Sequence, residues 1–386
     1  MAETMTANLR PLRIRKLTAL AAALSAIPLA GLIALVGNLE IPHPLAPFPV
    51  ATLAPIPPMT FSMFGPVTPP TSPVVVPTQP AALLPPAVPV GPLGQQVAAR
   101  SPLEIALSVD TGQLSTVGIT GSSNLGYAVQ AGTSPAIARV ASGYDLAFQT
   151  PGDQLWLAAR TGGGYLGYAM SPATSPAIIL TRSGYLIAFQ SSSGYLWLVG
   201  PTHATSKGSL GVRLAPDTSP SMTFTADTPY AVAFESNNHE LGLATPQGVT
   251  NLGYRMMAGT SPSIAAVGSG YVIAYEAPTG ELWAVAETGL PQLPRGLTRL
   301  GEPVMPHTNP SVASLGGGFE VAFVGPKGSI WTVGDTRFTR FHVTHTFLDV
   351  GPMADTSPSI TAWSTGYELA FQANTGRLWA VLSQHP

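Results

Sequence analysis

Residues 356–381, TSPSITAWSTGYELAFQANTGRLWAV, form one copy of a unit that recurs between residues 98 and 386. Each copy carries a Ser-Pro or Asn-Pro, a short apolar run, a strand-like Gly-Tyr-x-x-Ala-Phe-Gln segment, a small turn and a Leu-Trp segment. The proline anchors are Pro135, Pro176, Pro220, Pro262, Pro310 and Pro358. A unit of this size cannot bury its apolar faces alone, so successive copies must stack on one another. That requirement dictates the architecture before any single residue is considered.

Within a unit the apolar pattern alternates. In Tyr367–Gln372, Tyr367, Leu369 and Phe371 point one way, and Glu368, Ala370 and Gln372 point the other. A small residue recurs at Ala147, Ala188, Ala233, Ala274, Ala322 and Ala370, which lets a neighbouring sheet approach closely. Gly194, Gly280, Gly328 and Gly376 stand where a tight hairpin needs positive φ. A further short segment holding Leu-Gly precedes each of the first five proline anchors, as at Leu125-Gly126 and Leu252-Gly253. Four short antiparallel strands per unit is the content of a propeller blade. The 40 glycines and 40 prolines fit strands joined by turns and argue against a helical protein. The expected fold is all-β, a β-propeller of about seven four-stranded blades over residues 98–386. The first blade would be built partly from degenerate sequence around Val88–Arg100, and six blades is the alternative count.

The pattern SP-x-I/V-A, G-Y-x-V-A-F and G-x-L-W resembles the PLL-like bacterial lectins, which are seven-bladed propellers that bind fucose and related sugars. More loosely it resembles the tectonin and tachylectin propellers. The resemblance implies non-catalytic carbohydrate binding in pockets between adjacent blades, with an aromatic ring and a few polar groups around each sugar. Glycans of a cell surface or cell wall are the implied partners, and no cofactor is implied. Several similar blades suit multivalent binding, in which weak sites add by avidity. A protein-interaction scaffold on the same fold is the alternative, and a propeller glycosidase the third reading.

Two repeated positions are the candidates for ligand contact. Tyr144, Tyr185, Tyr271 and Tyr367 begin their strands, and Gln149, Gln190, Glu276 and Gln372 end the same strands. An aromatic face can stack on a sugar, and an amide or carboxylate can bind its hydroxyls. Each also has a structural use, in rim packing or in a repeated bond to the next blade. The repeated Trp156, Trp197, Trp283, Trp331 and Trp379 are expected to pack between blades, with Ser115 and Gly242 at that place in two others. Glu104, Asp145, Glu320 and Glu368 share one strand position, so they look like repeat decoration and not the paired carboxylates of a glycosidase. The expectation is that the protein is not an enzyme.

The N-terminal part differs in character. Arg10, Arg13, Arg15 and Lys16 precede an uncharged apolar run from Leu17 to Gly37. Residues 1–40 are therefore expected to be either a signal peptide or a signal-anchor transmembrane helix. Residues 41–97 hold 17 prolines, so this segment is expected to be unable to join a sheet and to form an extended polyproline-II chain, a disordered linker. Fully extended, such a stalk would reach about 170 Å at ~3.1 Å per residue. These features place the propeller outside the cytoplasmic membrane, secreted or anchored at the surface by residues 17–37. With 9% charged residues and a net charge of −2, the chain has no electrostatic footprint for nucleic acid. It has no cysteine, so neither disulfides nor thiolate metal sites hold the fold.

Overall fold

A computed structural model describes residues 88–90 and, with short interruptions, 104–383. The apolar run at 17–37 and the Pro-rich stretch apart from 88–90 lie outside the described residues. Every regular element among the described residues is a β-strand, and the strands form seven separate antiparallel sheets. The protein is a seven-bladed β-propeller. Blade one has three described strands, Glu104–Ser108, Gln113–Gly118 and Gly121–Ala128. Blade two is Ala136–Val140, Gly143–Thr150, Gln154–Ala159 and Gly162–Ala169. Blades three to six follow the same chain order, beginning at Ala177, Ser221, Ser263 and Ser311.

Blade seven closes differently. Its first three strands are Ser359–Trp363, Gly366–Gln372 and Leu378–Ser383, and its outer strand is Val88–Val90. Val88 pairs with Leu382, Pro89 with Val381 and Val90 with Ala380. These residues thus complete the last blade and not the first, which corrects the expectation for Val88–Arg100. The expectation that residues 41–97 cannot join a sheet is also corrected: Pro89 joins one because an outermost strand needs donors on one side only.

The phase of the repeat is also shifted from the reading that puts the Leu-Gly segment first. Each Leu-Gly segment is the outer strand of the blade before its proline, as Gly162–Ala169 is for blade two. The glycine sits in a bulge against the Trp strand: the register slips between Gln154 and Trp156, Tyr195 and Trp197, and Glu281 and Trp283. Gly167, Gly211 and Gly301 take φ of 87°, 73° and 81°, values that a side chain would strain.

Blades meet through apolar faces. Leu114, Leu125, Tyr127 and Val129 of blade one pack on Leu146, Phe148 and Trp156 of blade two, and the pattern repeats around the ring. Trp197 lies against Tyr168 of the preceding blade and Phe189 of its own, with ring centroids 5.7 and 6.4 Å apart. The tryptophans therefore pack between blades. At Gly242 the ring of Phe234 occupies the space a side chain would need.

Polar bonds tie the proline loops into a belt. The Ser134 N–H donates to Ser175 Oγ (2.8 Å), Ser175 to Ser219 (2.9 Å), Ser219 to Ser261 (2.9 Å), Ser261 to Asn309 Oδ1 (2.6 Å) and Asn309 to Ser357 (2.8 Å). Every Ser-Pro or Asn-Pro anchor thus also serves as a blade-to-blade link.

Candidate functional site

The two candidate sets sit towards opposite ends of one strand. Tyr144, Tyr185, Tyr271 and Tyr367 stand at the start of the second strand of their blades, and Gln149, Gln190, Glu276 and Gln372 stand near its end, five residues later. Five residues of strand span about 17 Å. The odd spacing also turns the two side chains to opposite faces, so the tyrosine looks to the preceding blade and the Gln or Glu to the following one. No single pocket can hold both.

Much of their polar capacity is already engaged. Tyr144 Oη lies 3.1 Å from Thr116 Oγ1 of blade one, and Tyr367 Oη lies 3.0 Å from Thr332 Oγ1 of blade six. Burial raises the hydroxyl pKa of Tyr185, helped by the Asp145 carboxylate, and that of Tyr271, helped by Glu287. Gln149 Nε2 donates to Ser171 O (3.0 Å) and Asp153 Oδ1 (3.1 Å), and Gln190 Nε2 donates to Ala215 O (3.2 Å). Ser171 and Ala215 lie in the connections leading to the next blade, so these amides clasp neighbours together. Glu235, at the same position, accepts from Gly259 N at 3.2 Å and pairs with His239 Nδ1 at 2.6 Å. Glu276 is buried and desolvated, which pushes its carboxyl up to about 7.

A different set of side chains meets the conditions for a ligand. On the outer half of each seam, the Trp strand and the Leu-Gly strand turn matching positions toward the preceding blade. Between blades four and five these are Glu281, Trp283, Arg299 and Gly301, with Tyr254 of blade four packed on the same apolar cluster as Trp283. Arg299 Nε donates to Glu281 Oε2 at 2.9 Å and Nη2 binds the other carboxylate oxygen, a two-pronged pair. Thr279 Oγ1 donates to Oε2 at 3.3 Å. The Arg299 hydrogen bonds hold the Glu281 carboxyl below its usual range, and Glu281 in turn raises Arg299. Arg299 is 57% exposed and Glu281 25%. A side chain added at Gly301 would meet nothing within 4 Å, so the bulge leaves the seam open beside them.

The same positions carry other chemistry elsewhere. The seam of blades one and two offers Gln154, Trp156 and Tyr165 facing Tyr127, with Trp156 Nε1 donating to Gln154 Oε1 at 3.3 Å. In blade three Tyr195, Trp197 and Arg213 face Tyr168. Blade four has Glu240 and Asn251 but glycine in place of Trp at 242. The frame is constant and the polar residues on it change from seam to seam.

No protein-family model matches the chain, and no curated protein matches it. Among solved structures it is similar to AofleA from Arthrobotrys oligospora, at 13% identity over 75% of this chain and 91% of that one, with a TM-score of 0.48. It is similar to BBS1N in complex with ARL6DN, at 11% identity over 72% and 86%, TM-score 0.48. It is also similar to a point mutant of the Aleuria aurantia lectin in complex with Fucα1-6GlcNAc, at 11% identity over 65% and 96%, TM-score 0.45. With likeness this distant, the ligand has to be read from the seams themselves.

Arg299 and Glu281 are not among the residues that the repeat brings to attention. Their signal lies in variation. Where the frame residues recur, Gln154, Tyr195, Glu240 and Glu281 put three different side chains at one position.

Proposed function

We propose that the protein is a non-catalytic carbohydrate-binding propeller that takes a neutral sugar in the seam between blades four and five. The supporting observation is the Arg299–Glu281 fork beside Trp283 at an open bulge. A pyranose presents hydroxyls along its edge and C–H groups on its face. The guanidinium donates to one hydroxyl oxygen, the carboxylate accepts from its neighbour, and the indole covers the apolar face. The fork carries no net charge, which suits a neutral ligand. Glu281 is kept ionised by Arg299, so it is fitted to accept hydrogen bonds and not to deliver a proton to a glycosidic oxygen.

The basic flank and apolar run at 10–37 support export, with that run either cleaved or kept as an anchor, and the Pro-rich segment acting as a stalk. On this reading the propeller presents several Trp-lined seams to glycans at a cell surface or cell wall, and weak sites gain from avidity. A glycan array probed with the full chain tests the proposal. Neutral glycans are expected to bind, with loss of signal in Glu281→Gln and Arg299→Gln. Absence of any bound neutral glycan, or signal unchanged in both variants, would overturn it.

A further inference from the structure

We infer that the seam between blades two and three takes a carboxylated sugar, a ligand class distinct from that of the Arg299 seam. The inference rests on the carbohydrate-binding reading and adds a second specificity to it. Arg213 is exposed on the outer strand Gly208–Arg213, and its guanidinium carbon lies 4.8 Å from the centroid of the Tyr195 ring. The ion pairs among the described residues are His239–Glu235, Arg295–Glu287 and Arg299–Glu281; Arg213 is in none of them. Among the described residues its charge is thus offset by a ring face and by no carboxylate, which leaves the outward N–H groups of the fork for an anion.

The surroundings favour a sugar as the carrier of that anion. Tyr195 and Arg213 are register partners, and so are Trp197 and Ser209. All four face blade two, whose Tyr168 ring lies 5.7 Å from that of Trp197. Where blade two places Tyr165 and blade five places Arg299 opposite the Trp, blade three has only a serine, whose Oγ accepts from Gly211 N at 3.2 Å. The register partner of this indole therefore adds little cover. A side chain at Gly211 would meet nothing within 4 Å. The ring of a hexuronate can lie on Trp197 while its carboxylate reaches the Arg213 fork two strand positions away. Arg255 is the equivalent residue in blade four, but there a carboxylate, Glu240, is its register partner and would repel an anion, and glycine stands at the Trp position, so that seam has no indole platform.

The test uses the full chain and matched pairs of probes, methyl glucuronide against methyl glucoside and methyl galacturonide against methyl galactoside, by isothermal titration. At least one uronide is expected to bind about tenfold more tightly than its neutral partner, the scale of one charged hydrogen-bonded contact. That preference should shrink between about 0.05 and about 0.5 M salt. Arg213→Gln should abolish the preference and leave neutral-glycan binding unchanged, and Arg299→Gln should do the reverse. Uronides that bind no better than their neutral partners, or a preference surviving in Arg213→Gln, would overturn the inference while leaving the Arg299 seam intact. Loss of all sugar binding in the unmodified chain would instead overturn the carbohydrate reading beneath both. A thermal midpoint within about 2 °C of the parent separates a local effect from misfolding of Arg213→Gln.

Discussion

Replacing Glu320 by glutamine should stabilise the protein at alkaline pH and leave it nearly unchanged in acid. Glu320 is 3% exposed in the seam between blades six and seven, and a side chain at Gly334 would overlap its carboxylate. Desolvation pushes its carboxyl up to about 7 against an ordinary 4.5, with Thr332 pulling in the other direction. The pull requires the Thr332 hydroxyl to donate to the ionised carboxylate; Thr332 Oγ1 also lies 3.0 Å from Tyr367 Oη. Between pH 4.5 and about 7 the folded protein holds a proton that the unfolded chain has released. Stability therefore falls as pH rises through that window, by roughly 3 kcal/mol at about 1.4 kcal/mol per pH unit. Glutamine keeps an acceptor for Thr332 and carries no charge, although its buried NH2 offsets part of the gain. Glu320→Gln is expected to be about 1–3 kcal/mol more stable than the parent at pH 8 and within ~1 kcal/mol at pH 4. Urea denaturation at the two pH values reads the difference directly. A difference of equal size at both pH values would refute the buried, desolvated carboxylate.

Two further perturbations test the packing. Gly242→Ala should destabilise by about 1–3 kcal/mol because its methyl would overlap the Phe234 ring, and Phe234→Leu should recover part of the loss in a double-mutant cycle read by denaturation. Ser261→Ala removes the acceptor of the Ser219 N–H and should cost about 1 kcal/mol, seen as a thermal midpoint lowered by roughly 2 °C; an unchanged midpoint would argue that the belt of serines adds nothing.

The division between what the sequence displays and what it conceals follows from packing. Ser-Pro loops, alanines and tryptophans recur because every seam must meet the same shape, so the blade is visible at each copy. A ring has no natural starting point. The repeat period therefore could not tell whether Leu125-Gly126 opens one blade or closes another; the bulge opposite Gln113 and Ser115 settles that it closes one. Val88–Val90 lacks the Leu-Gly that marks the outer strands of blades one to five, and what joins it to blade seven is main-chain pairing with Ala380–Leu382, which leaves no mark in the repeat. At the seams the conspicuous Gln149 and Gln190 clasp the next blade's backbone, a need shared by those blades and hence repeated. Arg299 has no counterpart in the other blades, and Glu281 and Arg213 recur only as Glu240 and Arg255 in blade four, too seldom to stand out as part of the repeat.

A crystal of the protein soaked with a neutral glycan selected on the array would show where on the blades the sugar sits. Sugar density is expected over the Trp283 indole, with hydroxyls within about 3 Å of Arg299 and Glu281. Density confined to the opposite end of the blades, against Tyr271 or Tyr367, would rule out the Arg299–Glu281 fork as the sugar site.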